Sequence, residues 1–199
     1  MASWSRLESI LFGLTVLFWS GRHALRSDAE WTVPSISVLA LNIAVGGLFV
    51  LRHPASRMGR WAEWVWALPC IVVAVFVLQV APPAASWPIP VQGLFVVAVC
   101  WTIASLLTLG RSFSVLPAVR SIVTRGPYRL VRHPAYLGES VMTFACLLAS
   151  PTWVSAALLV LIPVFVVWRI QVEERLLSRD SAYQQYQLRV RWRLLPGVW

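Results

Sequence analysis

The sequence predicts an all-α, polytopic integral membrane protein. It favours a helical bundle of about six spans, with a C-terminal helical hairpin and a cytoplasmic amphipathic tail helix. Of the 199 residues, 58% are hydrophobic and 13% are charged, and the mean hydropathy is +0.70. The apolar residues gather in runs of the length that crosses a bilayer. The basic residues fall mainly in the short segments between those runs.

Six apolar runs divide the chain. They cover Leu7 to Leu25, Trp31 to Val50, Trp64 to Ala84, Trp87 to Leu109, Ala135 to Ser150, and Thr152 to Trp168. The fifth run is short, and the break at 150–152 predicts that it forms a hairpin with the sixth. A five-span arrangement results if the first run only lies in the interface. We treat residues 1–109 as N-terminal membrane helices and residues 110–199 as the functional part of one integrated domain.

The distribution of arginine predicts the orientation of the chain in the membrane. All 17 basic residues are arginine, and with a cytoplasmic N-terminus only Arg22 and Arg26 fall on the outer side. Both termini are therefore expected in the cytoplasm, and the absence of lysine favours a bacterial inner membrane. The arginines on the cytoplasmic side, which set the membrane topology, account for most of the net charge of +9. We therefore expect membrane lipids and no nucleic acid as partners. The three cysteines lie inside apolar runs without metal-ligand spacing, so no metal is expected.

The tetrapeptide RHPA occurs twice, at 52–55 and 132–135, and both copies are predicted to face the cytoplasm. The second copy is preceded by a Gly-Pro turn and Tyr128. His133 occupies a cap position there, and Pro134 suits the first turn of a helix. Such a helix start favours an anionic group. Tyr136 adds an aromatic ring, and Gly138 allows another group to approach the backbone. The first copy lacks these neighbours, so we assign it to topology.

Three charged residues near the ends of the last two runs are candidates for chemistry. Arg169 and Glu173 are four residues apart and share a helix face. They form either a simple ion pair or a site in which Arg169 holds an anionic substrate and Glu173 binds a polar group of a cofactor. Glu139 lies one turn inside the fifth run, where a carboxylate is costly and is a functional candidate by default. It is either a general base or the partner of an arginine.

The order of these motifs resembles the isoprenylcysteine carboxyl methyltransferase family, which is related to the phospholipid methyltransferases. The pattern comprises a G-x-Y turn, RHPxYxG, a hydrophobic hairpin, a glutamate pair, Y-x-x-Y and R-x-x-P. In this chain the corresponding residues are Gly126 to Tyr128, Arg132 to Gly138, Glu173-Glu174, Tyr183 to Tyr186 and Arg193 to Pro196. The resemblance covers roughly the C-terminal 90 residues, and its specificity lies in the order and spacing of the motifs.

The resemblance implies a methyltransferase that uses S-adenosyl-L-methionine at the cytoplasmic face. It implies that the cofactor is held by backbone contacts from one segment, by the residues around the second RHPA copy, and by Glu173 on the far side. The implied cofactor-binding residues are Ser121, Ile122, Val123, Tyr128, His133, Pro134, Ala135, Tyr136, Gly138 and Glu173. Arg169 is expected to face the acceptor, with Glu139 as the second catalytic candidate.

The sequence does not determine the chemical class of the methyl acceptor. Relatives that act on prenylcysteine tend to carry a histidine where this chain has Arg120. A carboxylate or thiolate acceptor needs no base, whereas a phenol, with a pKa of about 10, needs one or a nearby cation. A lipophilic or small-molecule carboxylate, phenol, thiol or amine is therefore expected. Two other classes remain alternatives: a membrane sterol-type reductase that uses NADPH, and a non-enzymatic transporter or scaffold. The glutamate pair and the Y-x-x-Y motif favour the methyltransferase.

Overall fold

The computed structural model describes residues 2–25, 31–51, 57–58, 72–73, 76–77, 81–113, 118–119 and 122–199. The α-helices in these ranges that carry the architecture are α1 (Ala2–Ala24), α2 (Val33–Leu51), α3 (Ile89–Leu109), α4 (Pro134–Ala149), α5 (Trp153–Leu177) and α6 (Ser181–Arg189). Two short strands, β1 (Arg57–Met58) and β2 (Ala118–Val119), pair antiparallel. The prediction of an all-α class is confirmed. Most of the third apolar run, the first RHPA copy, Arg120 and Ser121 lie outside the described residues.

Three of the described helices are long and apolar enough to cross a membrane. They are α2, α3 with the turn that follows it (Ile89–Ser112), and α5. Only 22% to 33% of each apolar window is buried inside the protein, so most of these side chains face outward, as lipid-facing side chains do. The chain is an integral membrane protein, as predicted. The helix α1 (Ala2–Ala24) contains the first apolar run except for its last residue, Leu25, and begins five residues before it. The helix α4 is apolar but has 16 residues, which agrees with the short fifth run.

The helix α3 packs against α2 and against α4. Its contact with α4 forms the main apolar core, whose buried members include Phe95, Ala98, Val99, Met142 and Cys146. A glycine makes the close approach of these two helices possible. A Cβ added to Gly138 would collide with Thr102 Oγ1 and would lie 3.1 Å from the Ala98 carbonyl oxygen. Small residues at such contacts let membrane helices pack closely.

The helices α4 and α5 form the predicted hairpin. Between them, Thr152 caps α5 by accepting a hydrogen bond from the Ser155 amide at 3.1 Å. The Ser155 hydroxyl in turn donates to the Ser150 carbonyl, which closes the turn. The hairpin returns the chain to the side of the molecule where α4 begins, so the end of α5 lies beside the second RHPA copy.

The helical spacing of Val172, Leu176, Tyr183, Tyr186 and Val190 predicts a tail helix that continues from α5 and ends at Pro196. The structure differs from this prediction. The helix α5 ends at Leu177, and α6 starts anew because Asp180 accepts a hydrogen bond from the Ala182 amide at 2.8 Å. The buried side chains of α6 are Tyr183 and Tyr186, so the predicted amphipathic tail helix is present but short. After Arg189 the chain returns to the start of α4 in a non-helical conformation.

Candidate functional site

The candidate site is located where α3 ends, α4 begins and α5 ends, with α6 packed beside them. Before α4, residues Gly126–Arg129 form a 3-10 turn that starts at Gly126 with a φ of 57°. This left-handed conformation favours glycine, and an added Cβ would lie 3.1 Å from Thr108 Oγ1. Trp101 of α3 anchors the start of α4 by donating its indole N–H to the Pro134 carbonyl at 2.9 Å.

Tyr136 and Glu173, which are 37 residues apart in sequence, meet at the centre of the site. The Tyr136 hydroxyl donates a hydrogen bond to Glu173 Oε2 at 2.6 Å. The His133 ring stacks on the Tyr136 ring with 5.6 Å between centroids and an interplanar angle of 3°. His133 Nδ1 lies 3.9 Å from Glu173 Oε2. The three residues therefore form one polar and aromatic surface.

Arg169 lies next to this surface, one helical turn before Glu173 on α5. Its guanidinium carbon lies 4.5 Å from the centroid of the Tyr136 ring, within the range of a cation–π contact. Its Nη1 lies 3.8 Å from Glu139 Oε2. The Arg169 side chain is 6% exposed, whereas that of Glu139 is 44% exposed. A buried cation thus pairs with a carboxylate that is still accessible to a ligand.

The accessible carboxylate of Glu139 lines a cleft between α4 and α5. The other lining residues are Val73, Ser140, Thr143, Ile162, Phe165 and Val166. The hydroxyls of Ser140 and Thr143 donate to carbonyls one turn earlier in α4, at 2.7 and 2.8 Å, so they present little free polarity. The lining of the cleft is consequently mostly apolar and includes one carboxylate.

Aromatic residues of α6 pack against the turn before α4. Tyr128, Tyr183, Tyr186 and Val190 form a buried cluster, against which Ile122 and Val123 pack. The Tyr186 hydroxyl donates to the Tyr128 carbonyl at 2.7 Å. Burial raises the pKa of Tyr128, and the negative charge of Glu173 raises it further. The Tyr128 hydroxyl therefore stays protonated at neutral pH.

The residues singled out from the sequence fall into three groups. Tyr128, His133, Tyr136, Glu139, Arg169 and Glu173 come together as described above. Ile122 and Val123 pack beneath the tail, and Pro134 and Ala135 are buried at the start of α4. Gly138 faces α3 rather than the polar surface, since Thr102 occupies the space next to it. The close approach that its glycine permits is helix packing, and we leave it out of the proposed cofactor site.

Three further residues belong to the site and were not singled out from the sequence as site residues. Arg132, Glu174 and Arg193 form ion pairs directly beside His133. All three lie within the motifs quoted above, which was a signal in the sequence. Their mutual contacts could not be predicted from it, because these contacts depend on how the tail folds back. Within the described residues, no group of three histidine, cysteine, aspartate or glutamate side chains could hold a metal ion.

Residues 84–185 match the phospholipid methyltransferase family. This match spans more than half of the chain and includes the turn before α4, the second RHPA copy, the hairpin and the glutamate pair. The chain belongs to the phospholipid methyltransferase family. Isoprenylcysteine carboxyl methyltransferases are in the same family of membrane methyltransferases, so the resemblance stated from the motifs is confirmed. No curated protein and no solved structure matches the chain. Family membership favours methyl transfer over the reductase and transporter alternatives.

Proposed function

We propose that this membrane methyltransferase uses S-adenosyl-L-methionine to methylate a lipophilic or small acceptor at the cytoplasmic face of the membrane. The observation that carries the proposal is the contact between Tyr136 and Glu173 at 2.6 Å, with Arg169 on the Tyr136 ring. It joins a carboxylate, aromatic rings and a guanidinium at one point, between a polar surface and an apolar cleft. These are the groups that a charged nucleoside and a hydrophobic acceptor require together.

The donor set fits the cofactor. The N-terminus of α4 has no side-chain cap, so the amide groups that follow Pro134, those of Ala135 and Tyr136, suit the cofactor's carboxylate. Glu173 is 26% exposed and can accept hydrogen bonds from the cofactor's amino group or ribose hydroxyls. Since Tyr136 and Glu173 are in direct contact, the cofactor would lie along this pair, with Tyr128 and the backbone of Ile122 and Val123 on its other side.

When bound, the cofactor supplies a methyl group on a sulfonium sulfur, which is displaced in line by the acceptor. The protein's part is to align the two reactants and to exclude water. Arg169, held by the Tyr136 ring and by Glu139, would position an acceptor carboxylate or thiolate. A phenol or amine acceptor would release its proton to Glu139. The apolar cleft beyond Glu139 would hold the hydrophobic part of the acceptor.

The arginine distribution supports an orientation with both termini in the cytoplasm and the site at the inner leaflet. The absence of lysine supports a bacterial inner membrane. In this orientation, the polar cofactor arrives from the cytoplasm and the acceptor arrives from the bilayer through the cleft. The two reactants then use separate entry routes and meet at Arg169.

Calorimetric titration of the purified protein with S-adenosyl-L-methionine and, separately, with NADPH tests the cofactor. We expect binding of the former alone. Glu173→Ala should weaken it about tenfold or more, the size expected for losing a hydrogen bond to a charged group. Glu8→Gln on α1 is the matched control. Unchanged affinity in folded Glu173→Ala would count against the site.

Incubation with methyl-labelled S-adenosyl-L-methionine and a membrane lipid extract then identifies the acceptor by mass spectrometry. We expect a lipophilic product that has gained one labelled methyl group. Label that remains on the cofactor, in the presence of binding, would contradict the assignment of a lipid acceptor.

A further inference from the structure

The two neighbouring glutamates of α5 have different surroundings. Glu173 is 26% exposed, and within the described residues its Oε2 accepts a hydrogen bond from Tyr136 alone. Glu174 is 7% exposed and contacts four side chains. One carboxylate of the pair therefore has room for a ligand, whereas the other is enclosed by protein donors.

Both oxygens of Glu174 are engaged. Its Oε1 lies 3.2 Å from Arg132 Nη1 and 3.2 Å from His133 Nε2, and it accepts a hydrogen bond from the Tyr183 hydroxyl at 3.4 Å. Its Oε2 accepts from Arg193 Nε at 2.8 Å. A carboxylate offers about four acceptor positions, so these donors leave little capacity for a cofactor. Burial of the charge is tolerated because two arginines compensate it.

The four donors come from three separate segments: the turn before α4, the helix α6 and the tail beyond it. The backbone brings two of these segments together at the same point. The Arg132 amide donates to the Trp192 carbonyl at 2.9 Å, and the His133 amide donates to the Arg193 carbonyl at 2.9 Å. Glu174 thus lies where the tail joins the start of α4, and it ties both to α5.

This junction is connected to the proposed cofactor contact through His133. Its ring contacts Glu174 on one side and stacks on Tyr136, which in turn donates to Glu173. Substitution of Glu174 is therefore expected to shift the His133 and Tyr136 rings and, through them, Glu173, although Glu174 itself does not contact the ligand.

We propose that Glu174 is a positioning residue. It latches the tail, residues 190–199, onto the start of α4 and thereby orients His133 and Tyr136, while Glu173 is the member of the pair that contacts the cofactor. The assignment of Glu173 rests on the proposed function; the latch itself does not.

Hydrogen exchange of the Arg132 and His133 amides, measured on the full-length protein in micelles, reports the latch because these amides donate to the tail. In Glu174→Gln we expect their exchange to accelerate about tenfold or more, as expected for a local segment that loses hydrogen bonds to a charged group. In Glu173→Gln the exchange should stay at the wild-type rate. Arg175→Gln, an exposed position of the same helix, is the matched control.

Arg193→Gln provides an independent variant in case Glu174→Gln does not fold. It should accelerate the same amides, and combining it with Glu174→Gln should add little, since the ion pair is broken only once. Glu174→Asp, which keeps the charge, should recover part of the protection. Titration with S-adenosyl-L-methionine separates the two roles. Glu173→Gln should weaken binding with the amides still protected, whereas Glu174→Gln should weaken binding and protection together.

Two outcomes would overturn the latch. One is wild-type exchange in both Glu174→Gln and Arg193→Gln, and the other is equal acceleration in Glu173→Gln. Absence of cofactor binding in the wild-type protein would refute the proposed function, and the exchange rates would still decide whether Glu174 holds the tail.

Discussion

The N-terminal pair α1–α2 and the C-terminal group α3–α6 are held together by different interactions. Between α1 and α2, Gly13 and Gly46 let the backbones approach, and the Phe12 and Phe49 rings lie 4.8 Å apart. In the part of the chain that the structure describes, the identified ion pairs lie between residues 132 and 193. Apolar packing suffices to associate helices in lipid. Ionisable side chains inside a membrane are costly and are functional candidates by default, so the buried Arg169 and its partner Glu139 mark the C-terminal group as the candidate location of the chemistry.

The largest effect is expected from removing the buried cation. Arg169→Ala should lower the rate of methyl transfer about a hundredfold to a thousandfold, as losses of single charge-stabilising groups in enzymes do. The rate of Arg169→Lys should lie between those of the wild-type protein and Arg169→Ala, because lysine keeps the charge but loses the planar contact with Tyr136. Transfer of labelled methyl to lipid measures both, and circular dichroism checks folding. Wild-type turnover in Arg169→Ala would remove Arg169 from the mechanism.

The same measurement on Glu139→Gln sharpens the acceptor chemistry. If Glu139 takes a proton from the acceptor, its substitution should remove a pH dependence of the wild-type rate, whereas a loss of rate without a change in the pH profile assigns Glu139 to holding Arg169.

An intermediate effect is expected at the closest helix contacts. Gly138→Ala should destabilise the protein by about 1–3 kcal/mol, because the added methyl group meets Thr102 and the Ala98 carbonyl. Gly93→Ala on α3 is the control, since nothing lies within 4 Å of its added Cβ. Thermal unfolding in micelles measures both. A Gly138→Ala protein as stable as Gly93→Ala would contradict the tight α3–α4 contact.

Gly13→Ala extends this comparison to the N-terminal pair. Its added Cβ would lie 2.7 Å from the Gly46 carbonyl oxygen, so it should also lower the unfolding temperature. If α1–α2 serves as a scaffold, methyl transfer per folded molecule should nevertheless be retained in Gly13→Ala and reduced in Gly138→Ala.

The sequence predicted those features that depend on local pattern. Hydropathy located the three described helices that are long and apolar enough to span a membrane, and Pro134 after His133 located the start of α4. The proximity of Tyr136 and Glu173 followed from the hairpin that separates them. The sequence did not predict the break after Leu177, since the spacing of Leu176 and Tyr183 also fits one continuous helix and only the Asp180 cap marks the new start. It could not predict which helix approaches Gly138, nor the partners of Glu174, because these contacts join segments that are distant along the chain.

Substitution of the histidine in each RHPA copy is expected to give the smallest effect on methyl transfer in the first copy and a clear loss in the second. His133→Ala removes a ring that stacks on Tyr136 and contacts Glu174, so methyl transfer should fall about tenfold or more through loss of alignment. His53 belongs to the first copy, which lies outside the described residues and lacks the Gly-Pro-Tyr turn and the following tyrosine. His53→Ala should therefore change the rate by no more than about twofold, as substitutions away from special features do. Loss of activity in His53→Ala with retention in His133→Ala would show that the first copy forms the site. The two tetrapeptides are identical, so only the residues around them support the assignment to the second copy.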